Sequence, residues 1–228
     1  MYYTDDLDTE WTQYSGNPIL SAATAQFRWP SVALVDGTLH MFLTNRVDKE
    51  IQRWTSTDGI NFTEQEYVFK SLEADDQYFN PFIWLNPKDS KWYLYFKEHK
   101  STIRYLFSKN ASDITGLAAI TPTLVAGGNS GDPLEITAAP SVMYKYPFYY
   151  LSTEGYPDPG YWATYTFYSK DPNFNFYRTA TNPILGTATD GQACAIQLLS
   201  PDSKAIYLYS SRETASEWYI DVKKARIG

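Results

Sequence analysis

The sequence predicts an all-β fold, a β-propeller of four blades. Three observations carry that prediction: a strand–turn–strand pattern that recurs four times, a polar turn that recurs with it, and a wealth of aromatic residues. The first hairpin is "PSVALVDGTLHMFLT" from Pro30, and "PFIWLNPKDSKWYLYFK" from Pro81 and "PSVMYKYPFYYLST" from Pro140 repeat it. "AIQLLSPDSKAIYLYSS" gives a fourth copy from Ala195, without the proline. In each copy apolar and polar residues alternate, turn residues intervene, and the alternation resumes, which is the pattern of a β-hairpin. The anchors stand roughly 50 to 60 residues apart, room for four short strands per unit, as in one propeller blade.

Within the first hairpin, Asp36-Gly37 supplies the tight turn. The polar turns are "TSTDGINF" (Thr55–Phe62), "FSKNASDI" (Phe107–Ile114) and "YSKDPNFNF" (Tyr168–Phe176), with an N-terminal copy in "YTDDLDTEW" (Tyr3–Trp11). Asp, Asn, Gly and Pro provide the turn chemistry, and recurrence once per unit marks these segments as punctuation rather than calcium loops. "NPIL" occurs at Asn17–Leu20 and again at Asn182–Leu185. The last unit holds three candidate strands, Cys194–Leu199, Ala205–Ser211 and Trp218–Ala225. A strand around Trp11–Tyr14 is therefore expected to complete that blade and tie the ring shut. The irregular stretches Ala126–Glu135 and Thr153–Trp162 read as loops inside one propeller domain covering residues 1–228. "GGNSG" in the first of them lacks the Gly-Lys-Ser/Thr ending of a phosphate loop.

Composition narrows the function. The chain has 228 residues and a formal net charge of −7, so it has no basic footprint for nucleic acid and little attraction to anionic membranes. A single cysteine, Cys194, allows no internal disulfide, and two histidines leave little for a His-rich metal site. "MYYTDDLDTEW" has neither a basic nor an apolar leader region, and no apolar run is long enough to cross a membrane as a helix. A soluble cytoplasmic protein is expected; the oligomeric state is not legible. Aromatics make up 17% of the chain, most of them strand formers, with Tyr and Trp also able to stack on a flat ligand.

"PSVALVDGTLHMFLT" and "APSVMYKYPFYYLS" resemble inner hairpins of the furanosidase-type glycoside hydrolase propellers, families 43 and 32 and their relatives. "NPIL" ahead of a blade and "STDGINF" between outer strands are similar to those families too. The resemblance covers nearly the whole chain as a scaffold pattern. It implies a carbohydrate-active site at the mouth of a central channel, and five blades as the alternative to the four counted here. It also implies catalytic acids at the strand entrances: aspartates just before the proline in two blades, and a glutamate two residues before it in a third. The matching positions here are Trp29, Asn80 and Ala138, which cannot exchange protons usefully. The family's acids therefore cannot be carried over.

Five residues before each anchor stand Ala25, Asp76, Glu135 and Asp190. Equivalent positions in a ring face one another, so the three carboxylates are expected to gather at one end of the channel as relocated catalytic groups. Glycoside hydrolysis needs one protonated and one ionised carboxyl flanking the scissile bond, and crowding raises one pKa. Arg28, Trp29, Asn80 and Gln192 are expected to line the strand entrances. Arg46, Glu98, His99, Glu154 and Arg212 stand at the ends of the returning strands. Arginine there could grip a sugar hydroxyl or carboxylate, and Trp29 could stack on a sugar face. No cofactor is expected, although clustered carboxylates would suit a channel-bound calcium or magnesium ion. Two readings of function stand: a glycoside hydrolase with relocated acids, and a non-catalytic, lectin-like carbohydrate-binding propeller.

Overall fold

The computed structural model describes residues 2–3, 12–17, 19–20, 26–71, 79–100, 103–127, 138–155, 163–173, 176–180, 184, 191–199, 205–213 and 218–226. Two short strands, β1 (Tyr2–Tyr3) and β2 (Thr12–Gln13), pair with each other. Four antiparallel meanders follow, one per predicted repeat. Blade 1 is β3 (Phe27–Val35), β4 (Thr38–Asn45), β5 (Glu50–Ser56) and β6 (Thr63–Lys70). Blade 2 is β7 (Phe82–Asn86), β8 (Lys91–Lys100), β9 (Ile103–Ala111) and β10 (Thr123–Gly127), with a 3-10 helix at Ile114–Ala119. Blade 3 is β11 (Ala138–Lys145), β12 (Phe148–Gly155), β13 (Ala163–Ser169) and β14 (Tyr177–Arg178). Blade 4 is β15 (Gly191–Leu199), β16 (Ala205–Glu213) and β17 (Trp218–Arg226).

The four-blade propeller is thus borne out. One detail differs: Thr12–Gln13 pairs with Tyr2–Tyr3, not with β17, and blade 4 has three strands among the described residues. Pairing within the N-terminal segment closes a far shorter loop than pairing with the far end of the chain, and its entropic cost is correspondingly lower. A second difference concerns "FSKNASDI", where β9 runs on through Ala111 and buries Ser108 and Lys109 instead of turning.

The tight turn is as expected. Asp36 (φ 47°) and Gly37 (φ 78°) both lie in the left-handed region, the geometry of a type I′ hairpin turn. A Cβ at Gly37 would meet nothing within 4 Å, so Gly37→Ala should cost about 1 kcal/mol through backbone strain alone, measurable as a lower urea midpoint. In "TSTDGINF" one oxygen of Asp58 accepts from the amides of Ile60 (2.9 Å) and Asn61 (2.8 Å), and the other accepts from Asn61 Nδ2 (2.7 Å). These bonds hold the Asp58 carboxyl well below its usual range. The turn after β13 repeats part of the device: Ser169 Oγ accepts from the Asp171 amide (3.0 Å), as Ser56 Oγ does from that of Asp58 (3.2 Å). Among the described residues these carboxylates therefore serve their own turns.

Between blades the ladders stop and side chains take over. The seam of blades 1 and 2 is an apolar cluster of Phe42, Ile51, Val68, Phe79, Leu94 and Phe96. The seam of blades 2 and 3 gathers Tyr93, Tyr95, Tyr149, Leu151 and Phe167. There Asn86 Nδ2 donates to Tyr149 Oη (3.2 Å), and Tyr95 Oη donates to the Pro172 carbonyl (2.8 Å). Two serines reach across to a neighbouring inner strand: Ser31 Oγ accepts from the Ile83 amide (3.0 Å), and Ser141 Oγ from the Gln197 amide (3.1 Å).

Candidate functional site

Each inner strand opens on the same irregularity. In blade 1 the register pairs Arg28 with Thr44 and then Ser31 with Phe42, so Trp29 and Pro30 together face one residue, Leu43. In blade 3 Ala138 pairs with Glu154 and Ser141 with Ser152, leaving Ala139 and Pro140 opposite Thr153. Blade 4 repeats this at Ala193 and Ile196, opposite Ser210. In blade 2 the Lys97 amide donates to the Phe79 carbonyl (2.7 Å), while Phe82 pairs with Tyr95, leaving Asn80 and Pro81 opposite Phe96. Each is a β-bulge, which breaks the ladder and re-aims a side chain.

The residue before each proline adopts a left-handed conformation: Trp29 (φ 52°), Asn80 (φ 45°) and Ala139 (φ 45°). Proline bars its predecessor from the right-handed helical region, and the bulge demands a kink, so the left-handed well remains. Asn tolerates that well, whereas Trp and Ala hold it at a cost of order 1–3 kcal/mol. Strain of this kind, repeated at one end of three blades, marks that end as the candidate functional face.

Around these bulges the buried residues turn polar. Thr44, Asn45, Glu50, Gln52, Ser71, Asn80, Lys97, Glu98, Ser152, Thr153 and Glu154 are all buried there. Both faces of an inner blade are covered, so successive strand residues point into different seams and are buried alike. Lys97 shares the face of Tyr95, which packs against blade 3, while Glu98 shares the face of Phe96, toward blade 1. Ser71 Oγ donates to Glu98 Oε1 across that seam (3.2 Å). Glu50 is committed elsewhere, accepting from Lys70 Nζ (2.7 Å) and Gln52 Nε2 (3.2 Å), and the hydrogen bond from Lys70, with the Glu50 charge, holds Lys70 above the usual lysine value.

Four buried polar atoms, Thr44 Oγ1, Thr153 Oγ1, Ser210 Oγ and Gln197 Nε2, have no hydrogen-bond partner among the described residues. Thr153 and Ser210 are the residues that face the bulges of blades 3 and 4. Buried polar groups are normally paired, so these hydroxyls are where a water or a ligand hydroxyl would bond. Below this polar mouth, a cavity of about 460 Å³ is bounded by all four inner strands. Its wall is largely apolar, with Val32, Phe82, Trp84, Met143, Tyr144 and Ile196.

The predicted site residues divide as follows. Arg28 is exposed, Trp29 half-buried and Asn80 buried, all at strand entrances as expected. Arg46 follows β4, and its amide donates to the Gln26 carbonyl (3.1 Å), at the same end. Glu98 and Glu154 are buried there too. Gln192 and Arg212 are ladder partners at the entrance of blade 4, and His99 stands opposite Arg104 near the end of β8. Asp76, Glu135 and Asp190, the predicted catalytic carboxylates, lie outside the described residues. Thr44, Lys97, Thr153 and Ser210 are further buried polar residues at this end that the repeat pattern does not single out. The polar run "KEH" closing an otherwise aromatic strand was the available signal for the second of these. Among the described residues, no three His, Cys, Asp or Glu side chains come together as a metal site. No helix among them is long and apolar enough to cross a membrane.

No protein family model matches the chain, and no curated protein does. Solved structures do. An endo-1,4-beta-xylanase from Bacteroides thetaiotaomicron superposes with a TM-score of 0.64 at 18% identity, over 89% of this chain and 76% of that one. A thermostable family-43 glycoside hydrolase gives 0.52 at 11% identity, over 93% of each chain. Zg3597, a family 117 glycoside hydrolase from Zobellia galactanivorans, gives 0.66 at 15% identity, over 89% of this chain and 67% of that one. These likenesses define the class as a glycoside hydrolase-like β-propeller fold. At such identities they speak to architecture, and function rests on the site.

Proposed function

We propose that the protein is a carbohydrate-active enzyme that hydrolyses a glycosidic bond at the polar mouth, with Glu154 as one of its two carboxyl groups. The observation that carries this reading is the pairing of Glu154 with Ala138 at the strained entrance of blade 3. Directly opposed side chains in a ladder have Cβ atoms about 5 Å apart, so Glu154 brings a carboxyl to an entrance where Ala138 has none. Tyr149 and Leu151 occupy the blade 2 side of β12, so Glu154, on the other side, faces blade 4. Asp190 immediately precedes β15, the inner strand of that blade, and is the proposed second carboxyl. Asp76 and Glu135 remain candidates from the repeat alignment.

The chemistry asks one carboxyl to protonate the leaving oxygen and the other to act as base or nucleophile. The acid must be the carboxyl that keeps its proton near neutral pH, and the ionised one the base or nucleophile. Thr153 and Ser210 would pair with sugar hydroxyls, and Trp29 would stack on a sugar ring.

The test is a panel of aryl glycosides and oligosaccharides. Glu154→Gln and Asp190→Asn should each lower turnover at least about 100-fold, near 2.7 kcal/mol of transition-state stabilisation, with the far-ultraviolet spectrum unchanged. Unchanged turnover in both would overturn the assignment. The half-buried, strained Trp29 favours the lectin-like reading as the second choice, which sugar binding without turnover across the panel would select.

A further inference from the structure

At the far end of blade 3 from the mouth, the strands present a second feature. Phe148 opens β12, Tyr168 lies near the end of β13, and Tyr177 opens β14, directly across the ladder from Tyr168. The three rings form a run: Phe148 and Tyr168 meet edge to face at 5.6 Å between centroids, and Tyr168 and Tyr177 lie at 6.0 Å. With Ser169, Lys170 and Asp171 they line a cleft of about 380 Å³. Tyr177 is 62% exposed. A large aromatic ring left in water on a two-residue edge strand gives the fold little packing in return.

The rim is as informative as the floor. Lys170 holds its ammonium 6.0 Å from the Phe148 centroid. Asp171 is fixed by the turn, its amide donating to Ser169 Oγ (3.0 Å) and its Oδ1 accepting from the Asn173 amide (2.8 Å). One cation and one carboxylate oppose each other in charge, so the cleft favours neither anionic nor cationic ligands. A purely apolar ligand would desolvate both rim groups without pairing them. A neutral ligand with one flat apolar face and a periphery of hydroxyls satisfies both floor and rim, and a pyranose or furanose ring is such a ligand.

We propose that this cleft is a second carbohydrate-binding site, for a neutral oligosaccharide, at the end of blade 3 opposite the candidate catalytic mouth. Glu154 and Phe148 stand near opposite ends of β12, so the two sites are separated by a strand's length, roughly 20 Å at 3.4 Å per residue. One long substrate could engage both, and the distal site would raise the effective concentration of chain at the mouth. Binding here requires no catalysis and stands independently of the mouth assignment.

The experiment is titration calorimetry with xylohexaose, arabinohexaose and cellohexaose as probes, on the Glu154→Gln background to prevent turnover. At least one probe should bind, Tyr177→Ala should weaken that binding at least about tenfold, and Tyr177→Phe should preserve most of it. Tyr177→Ala in the otherwise unaltered chain should leave turnover of a small aryl glycoside unchanged. Absence of binding by all three probes, or equal affinity with and without the Tyr177 ring, would overturn the proposal. Binding of a proline-rich peptide in place of the sugars would overturn it too. If Glu154→Gln retains full turnover while Tyr177→Ala loses affinity, the mouth assignment fails and the distal site stands.

Discussion

Phe96→Ala is expected to lower the free energy of unfolding by about 4 kcal/mol, read as a fall in the urea midpoint. Phe96 is fully buried, with the Phe69 ring centroid 4.5 Å away on blade 1 and that of Phe107 at 5.9 Å on blade 2. It therefore closes the seam between two sheets that share no ladder hydrogen bond. It also faces the Asn80–Pro81 bulge, so the cavity opens directly beneath one strained entrance. The loss combines the transfer free energy of the ring with the cavity left behind. Phe96→Leu, which keeps most of the volume, should retain most of the stability. A loss under about 1 kcal/mol for the alanine variant would mean that the seam relaxes freely and that blades 1 and 2 are not rigidly coupled.

Lys109→Met should cost about 3 kcal/mol, for a different reason. Its ammonium is buried and donates to the carbonyls of Val68, Leu117 (3.2 Å) and Ala118 (3.3 Å), tying the outer strand of blade 1 to the 3-10 helix of blade 2. Methionine fits the space but leaves buried acceptors without their donor, and the desolvation penalty of those carbonyls is then uncompensated. The pH dependence separates this from simple packing. Burial pushes the Lys109 ammonium down to about 8, with the nearby Glu66 charge opposing the shift. Between that value and the ordinary lysine value of about 10.4, the unfolded chain binds a proton that the folded chain has released. Stability should therefore rise with pH through that window, an increment that Lys109→Met abolishes. Urea midpoints of both proteins at about pH 7.5 and about pH 10 give the comparison, and parallel behaviour would refute the role assigned to Lys109.

The hairpins were legible because period-2 alternation and turn chemistry are local properties. Pro30, Pro81 and Pro140 mark three entrances in the sequence, and the Asp36-Gly37 turn follows from its two residues alone. The polar seam was not legible in the same way. Alternation separates an inner from an outer face only when one face meets water, and an inner propeller blade has no such face. Lys97 and Glu98 are adjacent and both buried because each enters a different seam. Lys109 was hidden likewise, since "FSKNASDI" has turn composition yet extends a strand. The completion of blade 4 by the N-terminal segment is not shown among the described residues, where Thr12–Gln13 pairs with Tyr2–Tyr3: the sequence shows which segments can be strands but not which edges they find. Of the candidate site, Trp29, Asn80, Glu98 and Glu154 fell at the expected end because their positions were counted from the repeat.

The serine bonds between inner strands give the molecule a longer rhythm than its blades. Blades 1 and 3 both open on Pro-Ser-Val, and each lends its serine forward to the next inner strand. Blades 2 and 4 carry Phe82 and Ile196 at that position instead, and the join of blades 2 and 3 is made by tyrosines. At this position the inner strands therefore alternate, with serine on blades 1 and 3 and an apolar side chain on blades 2 and 4. Ser31, Phe82 and Ile196 all line the cavity bounded by the inner strands, so a ligand lodged there meets a wall whose chemistry changes from blade to blade.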